Sequence, residues 1–523
     1  MSAALSRRTL LTRAAWVAGA ALVPAALTER AYGAVTADDP FTLGVASGEP
    51  APAGVVLWTR LAPRPDDPDG GLPPRSIPVG WEVADDPDFR RIAARGRTLA
   101  GPAAGHAVHV EVDHLRPGRE YFYRFHALGA VSPVGRTLTA PEPGAEPARL
   151  RLAFASCQKY EAGFFAAHRY LAADRPDLVL FLGDYIYEQD PGSKDAVRLH
   201  RNPEPTDLAG YRIRYATYRS DPMLQAAHAV APWMVIWDDH EVENDYGADR
   251  DQDFNAKWDG DPAAFLRRRA AAYQAYFEHM PLRRRARPVG PDMLLHRSLD
   301  WGRLAQMQFV DDRQHRAVRA CLPASAGRGK LIPDCPERRD PARSMLGATQ
   351  ERWLLGALAA SRAHWNLLAQ QTLFAPMALP SPDGGRAWSS DGWDGYPATR
   401  ERIVNRWREA RVSNPVVLGG DVHAFAVAEV RAGPDEPVAA PCFVGGSISS
   451  LGPDAAMGER LKALNPHIRR YDGTVRGYGL AELTREATMV AFRRLADARR
   501  ADSELLPSET YALEAGRPTL TTA

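Results

Sequence analysis

Residues 178–189 read Leu-Val-Leu-Phe-Leu-Gly-Asp-Tyr-Ile-Tyr-Glu-Gln. The apolar run 178–182 stops at Gly183, and Asp184 and Tyr187 follow at once. An uninterrupted apolar run of this length predicts a strand buried on both faces, as in a parallel sheet covered by helices. Ligands of such sheets bind just beyond the carboxyl ends of the strands, where Asp184 and Tyr187 fall. A carboxylate and a phenolic oxygen at that place suit a divalent or trivalent metal ion. Taken alone, the same stretch also fits an ordinary strand-to-loop turn capped by Asp.

The flanking segments shift that balance. Upstream, 150–155 predicts a strand ending in Ser156-Cys157-Gln158, and a helix is expected over 163–173. Together with 178–182 these make a βαβ unit, which brings Cys157 and Asp184 to the same end of adjacent strands. A thiolate there favours iron or zinc over calcium or magnesium. A third strand, 233–237, runs into Asp238-Asp239-His240-Glu241-Val242-Glu243-Asn244-Asp245. That supplies oxygen ligands for a second, harder ion and one imidazole able to carry a proton. A fourth, 415–418, runs into Gly419-Gly420-Asp421-Val422-His423. The strand 304–310 ends at Asp311 and Arg313, whose guanidinium suits a phosphoryl oxygen. Arg267, Arg268 and Arg269 lie on an expected helix, 263–278, and read as a solvated face. Four strand ends of one kind in one domain point to a two-metal site, with Asp184 as the bridge between ions about 3.5–4 Å apart.

The rest of the chain sets the context. With 523 residues there is room for two or three domains, and a net charge of +1 supplies no field for general nucleic-acid or anionic-membrane binding. Residues 1–34 begin with Arg7-Arg8, continue through an apolar stretch too short to span a bilayer, and end in small residues. This predicts a cleaved twin-arginine signal, hence a periplasmic or extracellular protein with no transmembrane segment once mature. Residues 40–141 carry short alternating runs separated by turn residues, which predicts a small all-β sandwich domain. Tyr121 there resembles the corner tyrosine of fibronectin type III domains. The catalytic domain is expected over 148–500, and 501–523 as a polar, peripheral tail. Of four cysteines, Cys321 and Cys335 bracket a loop and suit a disulfide in an exported chain.

The blocks Phe154-Ala-Ser-Cys-Gln, Gly183-Asp-Tyr-Ile-Tyr-Glu, Trp237-Asp-Asp-His-Glu-Val-Glu-Asn, Asp311-Asp-Arg-Gln, Trp393-Asp-Gly-Tyr and Gly420-Asp-Val-His resemble, in order, those of the PhoD-like alkaline phosphatase D family, within the calcineurin-like metallophosphatase superfamily. The resemblance implies a four-layer α/β/β/α metallophosphatase sandwich behind the fibronectin-III-like β domain. It implies one ferric ion and one or two calcium ions. Cys157, Asp184, Tyr187 and His423 would hold iron, and phenolate ligation by Tyr187 would give a purple colour. Asp184, Asp239, Asn244 and Asp421 would hold calcium, with Asp238 beside them. His240 would protonate the leaving group or stabilise the transition state, and Arg313 would bind phosphate. This sequence reads Asp311-Asp312-Arg313 where the family has Asp-Thr-Arg, and the extra carboxylate weakens that phosphate role. The expected reaction is hydrolysis of phosphomonoesters or phosphodiesters, small or lipid, by in-line attack of a metal-bound hydroxide without a phospho-enzyme. Ser156 lacks the neighbouring base that a serine nucleophile needs. A phospholipase D-like activity and a non-catalytic exported binding protein are the alternatives.

Overall fold

The computed structural model describes residues 39–322, 331–381, 383–433 and 435–522, so the expected signal at 1–34 lies outside the described residues. Ten strands form one sheet in the order Leu520–Thr522, Glu509–Glu514, Ala487–Leu495, Arg476–Leu483, Leu150–Ala155, Leu178–Leu182, Pro232–Ile236, Val45–Ala51, Gly54–Arg60 and Ala107–Val112. The opening stretch is thus a central strand. It runs parallel to both neighbours, with Phe181 opposite Ala155 and Leu182 opposite Ile236. All five of its residues are buried. The helix Ala166–Asp174 makes the crossover between the first two of these strands, as the βαβ reading required.

A second sheet of seven strands runs Arg297–Trp301, Ala305–Phe309, Trp365–Ala369, Pro415–Gly419, Val438–Gly445, Phe425–Arg431 and Ile468–Asp472. Side chains alternate across its faces, as the pleat dictates. Trp365, Leu367, Val416, Leu418, Phe425 and Phe443 enter a core shared with Leu152, Phe154 and Leu180 of the first sheet. Phe425 meets Phe492 across that interface at 4.8 Å between ring centroids. The intervening Leu368, Val417, Ala426 and Val444 face a separate core with Leu354, Ile403 and Trp407 from the helices Gly347–Ala360 and Pro397–Glu409. On the far side of the first sheet, the helices Leu208–Arg219, Pro222–Val230 and Pro262–His279 deliver Tyr215, Leu224 and Tyr276 to the shared core. The last two start on Asp221 and Asp261, whose carboxylates accept N–H groups of the first turn, with proline in the first helical position. The order helix, sheet, sheet, helix is the expected four-layer sandwich.

The N-terminal region is all-β, but one of its sheets is not its own. Val45–Ala51 pairs in parallel with Pro232–Ile236, Ser47 opposite Pro232, so the ten-stranded sheet continues into this region. Its other sheet holds Ile92–Ala100, Ile77–Ala84, Glu120–Ala127 and Ala130–Val131, and Val55, Leu57 and Val110 pack between the two against Val79, Val83 and Phe125. The Tyr121 hydroxyl accepts the Arg116 N–H at 2.9 Å, as a corner tyrosine does.

Two expectations are corrected here. The tail 501–523 is not peripheral as a whole: Glu509–Glu514 and Leu520–Thr522 add strands to the main sheet, burying Tyr511, Ala512 and Leu513. Arg268 and Arg269 are buried rather than solvated. Arg268 pairs with Glu243 at 2.8 Å, and Arg269 donates to the Pro291 carbonyl at 2.9 Å. Cys321 and Cys335 are disulfide-bonded, while Cys157 and Cys442 are free and buried. No described helix is long and apolar enough to cross a membrane.

Candidate metal centre

The expected ligands leave their strands in unusual backbone conformations. Cys157 (φ 60°), Asp184 (φ 56°), Asp421 (φ 63°) and His423 (φ 49°) all occupy the left-handed region. Each such residue costs on the order of 1–3 kcal/mol and persists only where its surroundings over-determine it. The surroundings here are two packed sheets whose buried Leu and Phe side chains contribute about 1.5–3 kcal/mol apiece. Gly183 at φ 108° makes the turn after Leu178–Leu182 possible, because a Cβ there would lie 2.5 Å from Asp238 Cβ. Gly420 likewise admits Ser156, whose Oγ a Cβ would approach to 2.5 Å.

Candidate ligand atoms converge in three groups whose members lie within 4.8 Å of one another: Cys157, Asp184 and His423; Asp184, Asp239 and His240; and Asp239, Asp245 and Asp391. Asp184 belongs to the first two. In the first group the Tyr187 hydroxyl lies 2.8 Å from Asp184 Oδ2 and 3.0 Å from His423 Nε2. His423 Nε2 itself is 3.9 Å from Asp184 Oδ2. Four of the expected iron ligands therefore surround one space.

The electrostatics of that space ask for a cation. Burial, then the Asp184 and Cys157 charges, pushes the Tyr187 phenol well above its ordinary range. Burial and the Asp184 charge do the same to the Cys157 thiol. Burial, opposed by Arg313 and reinforced by Asp239 and Asp184, raises Asp238, and burial with Asp239, Asp391 and Asp184 raises Asp421. Asp184 Oδ1 and Asp238 Oδ2 are buried without a hydrogen-bond partner. Buried carboxylate oxygens without donors are costly unless a cation meets them. A thiol, a phenol, an imidazole and a shared carboxylate form a donor set suited to iron; carboxylates alone suit calcium. The residues present fit both.

His240, a member of the second group, has its ring 4.1 Å from that of Tyr187. Its Nδ1 faces Glu188 Oε2 at 2.6 Å. Burial disfavours charge on it, but Glu188, Asp239 and Asp184 outweigh that and raise its pKa well above the ordinary histidine value. Asn244 is near, yet its side-chain amide donates to Gln252 at 3.1 Å and its backbone N–H to Glu188 at 2.9 Å.

Arg313 lies among carboxylates. Its side chain is wholly buried; Nε donates to Asp238 Oδ1 and Nη1 to Asp391 Oδ1, the latter at 2.9 Å, while Nη2 sits 3.8 Å from Asp239. Asp312 Oδ1 is 3.7 Å away. A guanidinium so engaged is a counter-charge for carboxylates, while its Nη2 has no hydrogen-bond partner. Arg316 shares the task, donating to Asp391 at 2.8 Å.

Several contributors carried no assigned role in the sequence reading. Glu241 accepts the N–H groups of Asp184 (3.1 Å), Tyr185 (2.6 Å) and Asp238 (2.8 Å), tying two strand ends together. Burial and the Asp184 charge push it up to about 8. Glu188, Asp245 and Asp391 lie within or beside recognised blocks, so proximity in sequence was the available signal. Ser450, which reaches Tyr187 from 263 residues away, had none.

Comparison with known proteins places these features. Residues 152–492 match the family model described as PhoD-like phosphatase, and 26–141 match its N-terminal domain. The chain is 45% identical over 452 residues to alkaline phosphatase D of Bacillus subtilis (strain 168), covering 84% of this chain and 75% of that one. A solved structure titled as that of PhoD superposes with a TM-score of 0.87 at 42% identity, over 93% of this chain and 92% of the other. Purple acid phosphatase PPD1 from yellow lupin shares the fold at 10% identity, with a TM-score of 0.51 over 89% and 73% of the two chains. The chain belongs to the PhoD-like phosphatase family and is a hydrolase of phosphoric esters.

Proposed function

We propose that the chain is an exported, metal-dependent phosphatase that hydrolyses phosphomonoesters, phosphodiesters or both, holding iron and calcium on either side of Asp184. The observation that carries this reading is the membership of Asp184 in two groups of converging ligand atoms of unlike chemistry. Cys157, Asp184, Tyr187 and His423 would hold a ferric ion; Asp184, Asp239, Asn244 and Asp421, bordered by Asp238, would hold calcium. Metal ions so held would supply Lewis acidity toward a phosphoryl oxygen.

The protein's own groups do the rest. His240, hydrogen-bonded to Glu188 through Nδ1, presents its other ring nitrogen to the space it shares with Asp184 and Asp239 and donates a proton to the departing alkoxide. General acid catalysis of this kind contributes roughly 10²–10⁴-fold. Glu188 fixes the ring and, through the Asn244 N–H, the loop that carries it. His423 is partly exposed, so substrate enters beside it. Arg313 and Arg316 keep the carboxylate side from repelling an anionic substrate. The twin-arginine leader at 1–34 would deliver the folded, metal-loaded protein to the periplasm or exterior.

The deciding experiment assays purified protein against a phosphomonoester, a bis-phosphodiester and phosphatidylcholine, before and after chelation. Turnover of the first or second, lost on chelation and restored by iron with calcium, supports the reading. Full turnover by metal-free protein would sink it, and exclusive cleavage of the lipid would replace it with a phospholipase.

A further inference from the structure

The loop after Val438–Gly445 touches three of the four expected iron ligands without supplying one. Ser450 Oγ lies 2.7 Å from the Tyr187 oxygen and 2.8 Å from the Cys157 carbonyl, and it accepts the Lys159 N–H at 3.1 Å. The next residue gives its carbonyl to His423 Nδ1 at 2.8 Å. Ser447 Oγ donates to the Ser450 carbonyl at 2.6 Å, and the Ile448 N–H donates to the Ser156 carbonyl at 3.0 Å, so the loop is itself fastened beside Cys157. Ser450 is buried.

These contacts limit where the protons can sit. A carbonyl only accepts, so the Leu451 carbonyl requires a proton on His423 Nδ1, and the neutral ring then turns a bare Nε2 toward Tyr187. The Ser450 hydroxyl has one proton to give. With the Lys159 N–H already donating to its oxygen, that proton goes either to the Cys157 carbonyl or to Tyr187. A phenolic oxygen that keeps its proton can donate to Asp184 and leave Ser450 bonded to Cys157. One that has become a metal ligand can only accept.

We propose that Ser450 is a positioning residue for the metal centre: its hydroxyl turns to Tyr187 when that oxygen ligates a metal, and the Ser447–Leu451 loop thereby orients Tyr187 and His423 together. This rests on Tyr187 and His423 being metal ligands. Hydrogen bonding to ligands from such partners governs both their electron donation and metal affinity, and removing one costs typically 10–100-fold in affinity.

The test compares metal-loaded wild type with Ser450→Ala and Ser450→Thr. Without the donor the phenolate gives electron density more readily. The tyrosinate-to-iron absorption band of S450A therefore moves to longer wavelength, while loss of the orientation that Ser450 and its loop give Tyr187 and His423 outweighs the stronger donation and lets a chelator strip iron at least about tenfold faster. S450T, which keeps the hydroxyl, stays near the wild type in both. A wild-type band position and stripping rate in S450A overturn the proposal, as does an equal shift in S450T. A readout on the wild type alone needs no variant to fold: exchange into D₂O should shift the tyrosinate C–O stretch in resonance Raman, and an unmoved frequency overturns the proposal. A colourless wild type overturns the ferric assignment itself, and the stripping rate of whichever metal is present then decides Ser450's role, an unchanged rate counting against it.

Discussion

On one side of Asp184 stand Cys157, Tyr187 and His423, with Lys159 Nζ over the Tyr187 ring at 5.8 Å and, among the described residues, no arginine or lysine paired with Asp184 itself. On the other stand Asp238, Asp239 and Asp391, already engaged by Arg313 and Arg316. The first half is poor in charge but rich in polarisable donors. The second is rich in charge and compensated in part by buried guanidinium groups. A fully buried carboxylate cluster would otherwise protonate or unfold its loops. The lesson is that the two halves are not equivalent metal pockets. One holds Asp184 with no guanidinium beside it, while in the other buried guanidinium groups offset part of the carboxylate charge and leave Asp238 Oδ2 without a partner.

The comparison can be broken most directly at the residue the halves share. Asp184→Asn should release both metals and lower kcat at least about a thousandfold, as expected when a transition-state charge clamp is lost. Substantial residual turnover with metals retained would refute the bridge. His240→Asn should leave metal content intact and cost roughly 10²–10⁴ in kcat. If it costs metal instead, His240 is a ligand rather than an acid. Arg313→Met tests the pre-compensated half. Removing one partner of a buried ion pair costs about 3–5 kcal/mol, so the unfolding midpoint falls sharply even in metal-free protein. If stability is unchanged and only KM for substrate rises, Arg313 binds phosphate after all.

The smallest effect is expected at Asp312. Burial, with Asp311 and Asp391 outweighed only in part by Arg313 and Arg316, pushes this carboxyl up to about 7, and neither oxygen has a hydrogen bond. Its folded-state pKa is raised, so the wild type loses stability as pH rises from about 4 through 7. Asp312→Asn should therefore raise the melting temperature by about 1–3 °C above pH 7, the gain shrinking toward pH 4. A gain that grows on acidification would contradict this assignment.

Much of this was legible in local sequence because buried parallel strands announce themselves. The runs ending at Ala155, Leu182 and Ile236 each stop beside a ligand, and three-dimensional adjacency follows from the βαβ rule. The fate of Arg313 was not legible. Whether a guanidinium meets phosphate or carboxylate depends on Asp238 and Asp391, 75 and 78 residues away. Arg268 was misread for the same reason, since a helical window shows spacing but not the buried Glu243 it meets. The last strands, Glu509–Glu514 and the edge strand Leu520–Thr522, are short, interleave polar with apolar residues and carry a weak apolar signal. The merging of the N-terminal strands into the main sheet leaves no mark in either segment alone.

Whether two unlike sites meet at Asp184 is tested most directly by element-resolved metal analysis of Cys157→Ser beside the wild type. The wild type should carry iron and calcium, and the variant should lose iron and colour while keeping calcium. Iron retained in the variant, or a wild type that never held it, would contradict the assignment.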